Sequence, residues 1–183
     1  MKNKLIVLII TASTLLFSCS NPSPRKPVVR KTSTFLDESI QRNKVLNKLE
    51  EKAFQQLIKN DSLHSYINSP HGFWYYYNTK DSLATKFPEK GDKVVYSYTI
   101  KDINGNVLYT EEELGERSYL VERQELITGL QDGIKLMKEG EIVTFLFPSY
   151  KAYGYSGYQK IQSNQPLIYT VQLKKIIKSN SLK

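Results

Sequence analysis

The chain is poor in the residues that carry covalent and metal chemistry. Cysteine occurs once, at Cys19, so no internal disulfide can form. Histidine occurs twice, and His64 and His71 have no cysteine or acidic cluster at ligand spacing, which argues against a metal centre. There is no glycine-rich phosphate loop and no carboxylate pair of evident purpose, and no cofactor is expected. Gly154-Tyr155-Ser156-Gly157 stops short of a nucleophile elbow, because Tyr158 stands where the closing glycine belongs. The apolar run from Leu5 to Phe17 is shorter than the ~20 residues of a membrane span.

The basic excess is confined to one end. Of 26 bases, six lie before residue 32 with no acid among them, leaving 20 bases against 18 acids in the rest. A near-neutral body has no basic stripe to track a phosphate backbone, so nucleic acid is not the expected partner. Lys2 and Lys4 followed by the short apolar run read as a signal peptide over 1–18. Leu16-Phe17-Ser18-Cys19 resembles a bacterial lipobox, with Cys19 as the lipidated residue. Residues 19–33, with prolines and four bases, read as a disordered tether lying against anionic lipid. Ser20 is not the aspartate that retains lipoproteins in the inner membrane. The expectation is a cell-envelope protein anchored through its N-terminal lipid in the outer membrane, facing the periplasm.

From 34 to 68 the pattern becomes helical, with Leu46, Leu49, Ala53 and Leu57, and Phe54 and Ile58, at helical intervals. This stripe needs cover from the domain, from a second copy of the chain through 34–67, or from a protein of a larger assembly. Phe73–Asn78 is an aromatic strand. Val94, Tyr96 and Tyr98 alternate as another, Asn104-Gly105 marks a hairpin, and Val107–Glu111 returns. Tyr119–Val121, Ile142–Phe147 and Leu167–Ile177 complete the strands. Ile127, Leu130, Ile134 and Met137 fall on one face of a helix that Gly140 stops. The expected fold class is α+β: five to six antiparallel strands curled on one short helix over 70–178, preceded by a long N-terminal helix.

A chain with no nucleophile, metal or cofactor can still catalyse rotation about an X-Pro bond. The ~18–20 kcal/mol barrier arises from amide conjugation, which is lost at the twisted midpoint. A desolvating aromatic pocket with a few fixed donors binds that twisted form best.

Gln124-Glu125-Leu126-Ile127-Thr128-Gly129-Leu130 resembles the Q-x-V-I-x-G-(W/L) signature of the FKBP-type peptidyl-prolyl cis-trans isomerases, and the resemblance runs from about Gly72 to Ile177. Leader and tyrosine-rich lead-in resemble one branch, the gliding-motility-associated FKBP-type lipoproteins. The resemblance implies an isomerase of proline-containing polypeptides that assists folding of exported or envelope proteins. It implies catalytic positions at Tyr98, Ile127, Tyr153 and Tyr169. Tyr98 would be a wall and the Ile127 backbone N–H would hold the substrate carbonyl. The Tyr153 hydroxyl would reach the ligand. The implied pocket adds Leu108, Tyr109, Leu126, Leu130 and Ile161. Two departures stand out. Leu108-Tyr109 replaces the family's Phe-Asp, and the loop 158–165 lacks Ile-Pro-Pro. A peptide-binding module of low catalytic strength is the alternative reading. Separately, Asp61-Ser62-Leu63 and Asp81-Ser82-Leu83 repeat a tripeptide that resembles a bacterial O-glycosylation signal.

Overall fold

The computed structural model describes residues 32–83 and 85–179. The expected signal peptide, Cys19 and the tether up to residue 31 lie outside them, and the last two tether residues, Thr32 and Ser33, are helical instead. Two compact units divide the chain, Met1–Ser39 and Ile40–Lys183. Of the first, only the opening of helix α1 is described.

Helix α1 runs Thr32–Asn60. Within the second unit its inward face is Glu50 and Phe54, both buried, flanked by half-buried Leu46, Leu57 and Ile58. Leu49, expected in the stripe, is instead 61% exposed, and Ala53 is exposed too. Spacing alone could not show that a glutamate faces inward.

The helix stops at Asn60, short of the expected 67–68. The Asp61 carboxylate turns the chain, accepting from the Leu63 N–H at 2.9 Å, from Tyr66 at 2.8 Å and pairing with His64 Nδ1 at 2.7 Å. These contacts hold the Asp61 carboxyl down at about 2, the His64 bond first among them. His64 stacks on Tyr76 with centroids 4.1 Å apart. Asp81 makes the same turn, accepting from the Leu83 N–H at 2.7 Å. Ser62 and Ser82 are both exposed.

The strands are β1 (Ile67–Ser69), β2 (Phe73–Thr79), β3 (Lys93–Asp102), β4 (Val107–Tyr109), β5 (Arg117–Leu120), β6 (Ile142–Phe147) and β7 (Leu167–Ile177). They form one antiparallel seven-stranded sheet in the order β1-β2-β6-β7-β3-β4, with β5 also on β3. The five to six strands of the sequence reading missed β1, three residues whose pairing to β2 has no periodic signal. Helix α2 (Glu111–Leu114) occupies part of the expected return strand, because Thr110 and Glu113 form a reciprocal capping box.

The short central helix α3 is Thr128–Ile134. It ends before Gly140 because Leu136 and Met137 bond back three residues, to Gly133 and Ile134, tightening the last turn. Leu130, Ile134 and Met137 are nonetheless buried, as their spacing requires. Gly129 and Gly133 let the helix lie directly on the rings of Phe147 and Phe145: a methyl group on Gly129 would sit 2.7 Å from Phe147. The core joins these residues to Phe73, Val94, Tyr96, Tyr169 and Val171.

Candidate active site

Period-two alternation on β3 turns Val94, Tyr96, Tyr98 and Ile100 to the concave face. On β7 the alternation turns Tyr169 and Val171 the same way, and the pairs Ile100↔Tyr169 and Tyr98↔Val171 set the register. Tyr98 therefore stacks flat on Tyr169, centroids 5.5 Å apart and planes 18° apart. Tyr96 also stacks on Tyr98, at 5.6 Å, and Phe147 tilts against Tyr169 at 5.4 Å.

Facing this wall is the segment after β6. Two 3-10 turns, Ser149–Lys151 and Gly154–Ser156, bracket Tyr153, whose ring stacks on Tyr158 at 5.4 Å and 12°. Tyr158 and Ile161 exchange backbone hydrogen bonds of 2.9 and 2.8 Å, closing the loop. Between wall and loop lies a cavity of about 470 Å³ lined by Tyr98, Ile100, Tyr109, Tyr153 and Tyr158. Its rim carries Glu113, Leu114, Arg117, Gln159 and Lys160. That volume lies within the range of small-ligand pockets.

Three positions named from sequence, Tyr98, Tyr109 and Tyr153, line the cavity directly. Tyr169, Leu130 and Ile161 are buried behind it in the same core, and Leu108, Leu126 and Ile127 pack partly buried against that core. Ile127 is the N-cap of α3, and among the described residues no acceptor meets its backbone N–H. Sequence reasoning missed Ile100, Tyr158 and every charged group on the rim. Ile100 was readable as the next residue of the Tyr96, Tyr98 alternation. The rim charges carry no local signal, since Glu113 and Lys160 meet across 47 residues at 2.8 Å.

Tyr109, where the family aspartate was expected, spends its hydroxyl on the loop. It donates to Gln159 Oε1 at 3.1 Å and accepts from the Lys160 N–H at 3.2 Å. The Lys160 ammonium lies 4.8 Å from its ring centroid. Burial raises the hydroxyl pKa of Tyr98, Tyr153 and Tyr169; neighbouring tyrosines add to this at Tyr98 and Tyr169, while at Tyr153 the Tyr169 hydroxyl works against it. All three stay neutral hydrogen-bond donors at physiological pH. The arrangement can grip an apolar ring, exclude water and offer donors, and it supplies no base or nucleophile inside the cavity.

Residues 84–174 match the profile described as FKBP-type peptidyl-prolyl cis-trans isomerase. No curated protein matches the chain in sequence. A crystal structure of FkpA from Escherichia coli is similar with a TM-score of 0.59 and 20% identity, covering 98% of this chain and 83% of that one. A peptidyl-prolyl cis-trans isomerase from Pseudomonas syringae pv. tomato is similar with a TM-score of 0.58 and 16% identity, covering 74% and 96%. These likenesses establish the shared fold. The profile match, and not these likenesses, shows an FKBP-type peptidyl-prolyl cis-trans isomerase domain over residues 84–174.

Proposed function

We propose that the chain isomerises X-Pro bonds in exported or envelope polypeptides while held to the membrane by a lipid on Cys19. The observation that carries the catalytic reading is the convergence of Tyr98, Tyr109 and Tyr153 on one cavity backed by Tyr169. A proline ring held against these faces leaves its amide out of water. The planar amide is the form water solvates best, so desolvation and aromatic contact favour the twisted form. The Tyr153 hydroxyl and the Ile127 N–H are the donors the twisting amide would use, and each ~1.4 kcal/mol gained there is tenfold in rate. Acceleration of a Leu-Pro tetrapeptide in a protease-coupled assay tests this.

The anchoring rests on the lipobox-like stretch ending at Cys19. Two or three acyl chains at ~0.8 kcal/mol per buried methylene hold a protein stably, where one is marginal. Labelled palmitate should enter the wild-type chain and not Cys19→Ala; label in the variant contradicts the anchor. A role in a gliding-motility apparatus is the finer assignment, supported by the resemblance of leader and aromatic lead-in alone. The two matched Asp-Ser-Leu turns suit O-glycosylation of Ser62 and Ser82, which intact mass of the native protein tests. A second reading, peptide docking with little turnover, is favoured by one feature: Tyr109 gives its hydroxyl to Gln159 and Lys160 and leaves no carboxylate at that position.

A further inference from the structure

We infer that the pocket selects for an acidic residue beside the proline, and that Arg117 makes the selection. This rests on the reading of the cavity as an X-Pro site. Arg117 opens β5 directly opposite Tyr96 on β3. Alternation puts it on the face of buried Tyr119, the concave one, but at the strand's exposed end. It thereby reaches the rim of the cavity walled by Tyr98 and Tyr153.

The charges around it are already engaged elsewhere. Glu113 is paired with Lys160 at 2.8 Å. Glu111 and Glu116 both turn to Lys174, at 3.4 and 3.5 Å. Among the described residues Arg117 forms no ion pair. Of the three charged residues that line the cavity, Glu113 and Lys160 offset each other and Arg117 is left over, while just outside it Glu111, Glu112 and Glu116 outnumber Lys174. The Arg117 charge is felt inside the site, where it works against the effect of burial on the Tyr96 and Tyr98 hydroxyls.

A residue flanking a proline seated between Tyr98 and Tyr153 would lie at this rim. A guanidinium takes a carboxylate in a two-pronged grip and repels a lysine, so attraction and repulsion both widen the discrimination. Exposed charge pairs are weak, so attraction and repulsion together give a Glu-over-Lys preference of about five- to tenfold at low salt.

The test measures kcat/KM of the full chain on tetrapeptides Ala-Xaa-Pro-Phe and Ala-Ala-Pro-Xaa, with Xaa as Glu, Leu or Lys, at low and high salt. The expected order is Glu, Leu, Lys in at least one of the two positions, with the Glu/Lys ratio falling toward one at ~0.5 M salt. Arg117→Gln should collapse that ratio, Arg117→Glu should reverse it, and Arg117→Lys should keep its direction. Leu peptides accelerated with Glu and Lys equal in both positions, or a ratio unmoved in Arg117→Glu, would overturn the selection and leave the isomerase reading standing. Acceleration of no peptide would overturn the isomerase reading and this inference with it.

Discussion

The Glu50 carboxylate on α1 accepts two hydrogen bonds from Ser149, 2.7 Å from its backbone N–H and 2.6 Å from its hydroxyl, across 99 residues of sequence. Both residues are buried. The bond joins the C-terminal half of α1 to the segment that leads into Tyr153, and Phe54, one turn on, packs against Trp74 at 5.8 Å. That part of the helix is therefore built into the isomerase body. Glu50→Ala should cost about 1–3 kcal/mol by leaving a buried N–H unmet. Phe54→Ala should cost about 3–5 kcal/mol through the void it leaves. Urea unfolding of the two variants measures both, and wild-type midpoints would contradict the account.

Asp92 closes the far end of the sheet. It is paired with Lys178 at 2.9 Å and accepts from the Glu89 and Ser179 N–H groups at 2.8 and 3.0 Å. Burial pushes its carboxyl up, but the Lys178 ammonium and these N–H donors outweigh burial and hold it below its ordinary value. Lys178 is raised, chiefly by Asp92. A depressed acid stabilises above its unfolded pKa, ~3.9, and loses that contribution as pH falls through the folded value. A raised base stabilises below its unfolded pKa, ~10.4, and loses that contribution as pH rises through the folded one. The Tm of the wild type should thus exceed that of Asp92→Asn across the neutral range. The gap should close on strong acidification, and a gap that is constant with pH contradicts this.

Burial raises the hydroxyl pKa of Tyr98 and Tyr153, and both histidines lie outside the cavity. The cavity holds no histidine to act as a general acid or base near neutrality. The expected kcat/KM for a Leu-Pro peptide is flat between about pH 5.5 and 9, where a general acid or base would give a bell. A bell-shaped profile would mean that a proton transfer has been overlooked.

Two glycines are tied to the site by space. A methyl on Gly157 would meet the Ile161 carbonyl at 2.6 Å, and its φ of +61° already disfavours a side chain. Gly157→Ala should open the Tyr158–Ile161 closure and raise KM more than it lowers stability. Gly129→Ala, which presses on Phe147, should lower stability by about 1–3 kcal/mol. Thermal melts paired with steady-state kinetics separate the two, and equal effects on both quantities would contradict the assignment.

Much of this was legible in the order of residues. Asn104-Gly105 announced the β3–β4 hairpin, where Gly105 has φ +88° and the Asp102 carboxylate accepts from the Asn104 and Asn106 N–H groups. The tyrosine alternation on β3 and the Ile127–Leu130–Ile134–Met137 spacing told which faces turn inward. Spacing could not tell where helical hydrogen bonding stops, so α3 is shorter than its apolar pattern and α1 ends at Asn60. Nor could it show the rim of the pocket. Arg117, Glu113 and Lys160 look like ordinary surface charges until β5, α2 and the loop after Tyr158 bring them together.

The central claim is that tyrosine faces, desolvation and a few fixed hydrogen-bond donors lower the torsional barrier without any reactive side chain. The most direct measurement is the cis-to-trans rate of a Leu-Pro tetrapeptide with the full chain and with Tyr153→Phe and Tyr98→Ala. The account predicts clear acceleration over the uncatalysed tens to hundreds of seconds. It predicts partial loss in Tyr153→Phe, which removes one donor, and near-complete loss in Tyr98→Ala, which removes a wall. An uncatalysed rate with the folded wild-type chain, or full activity in both variants, would contradict it.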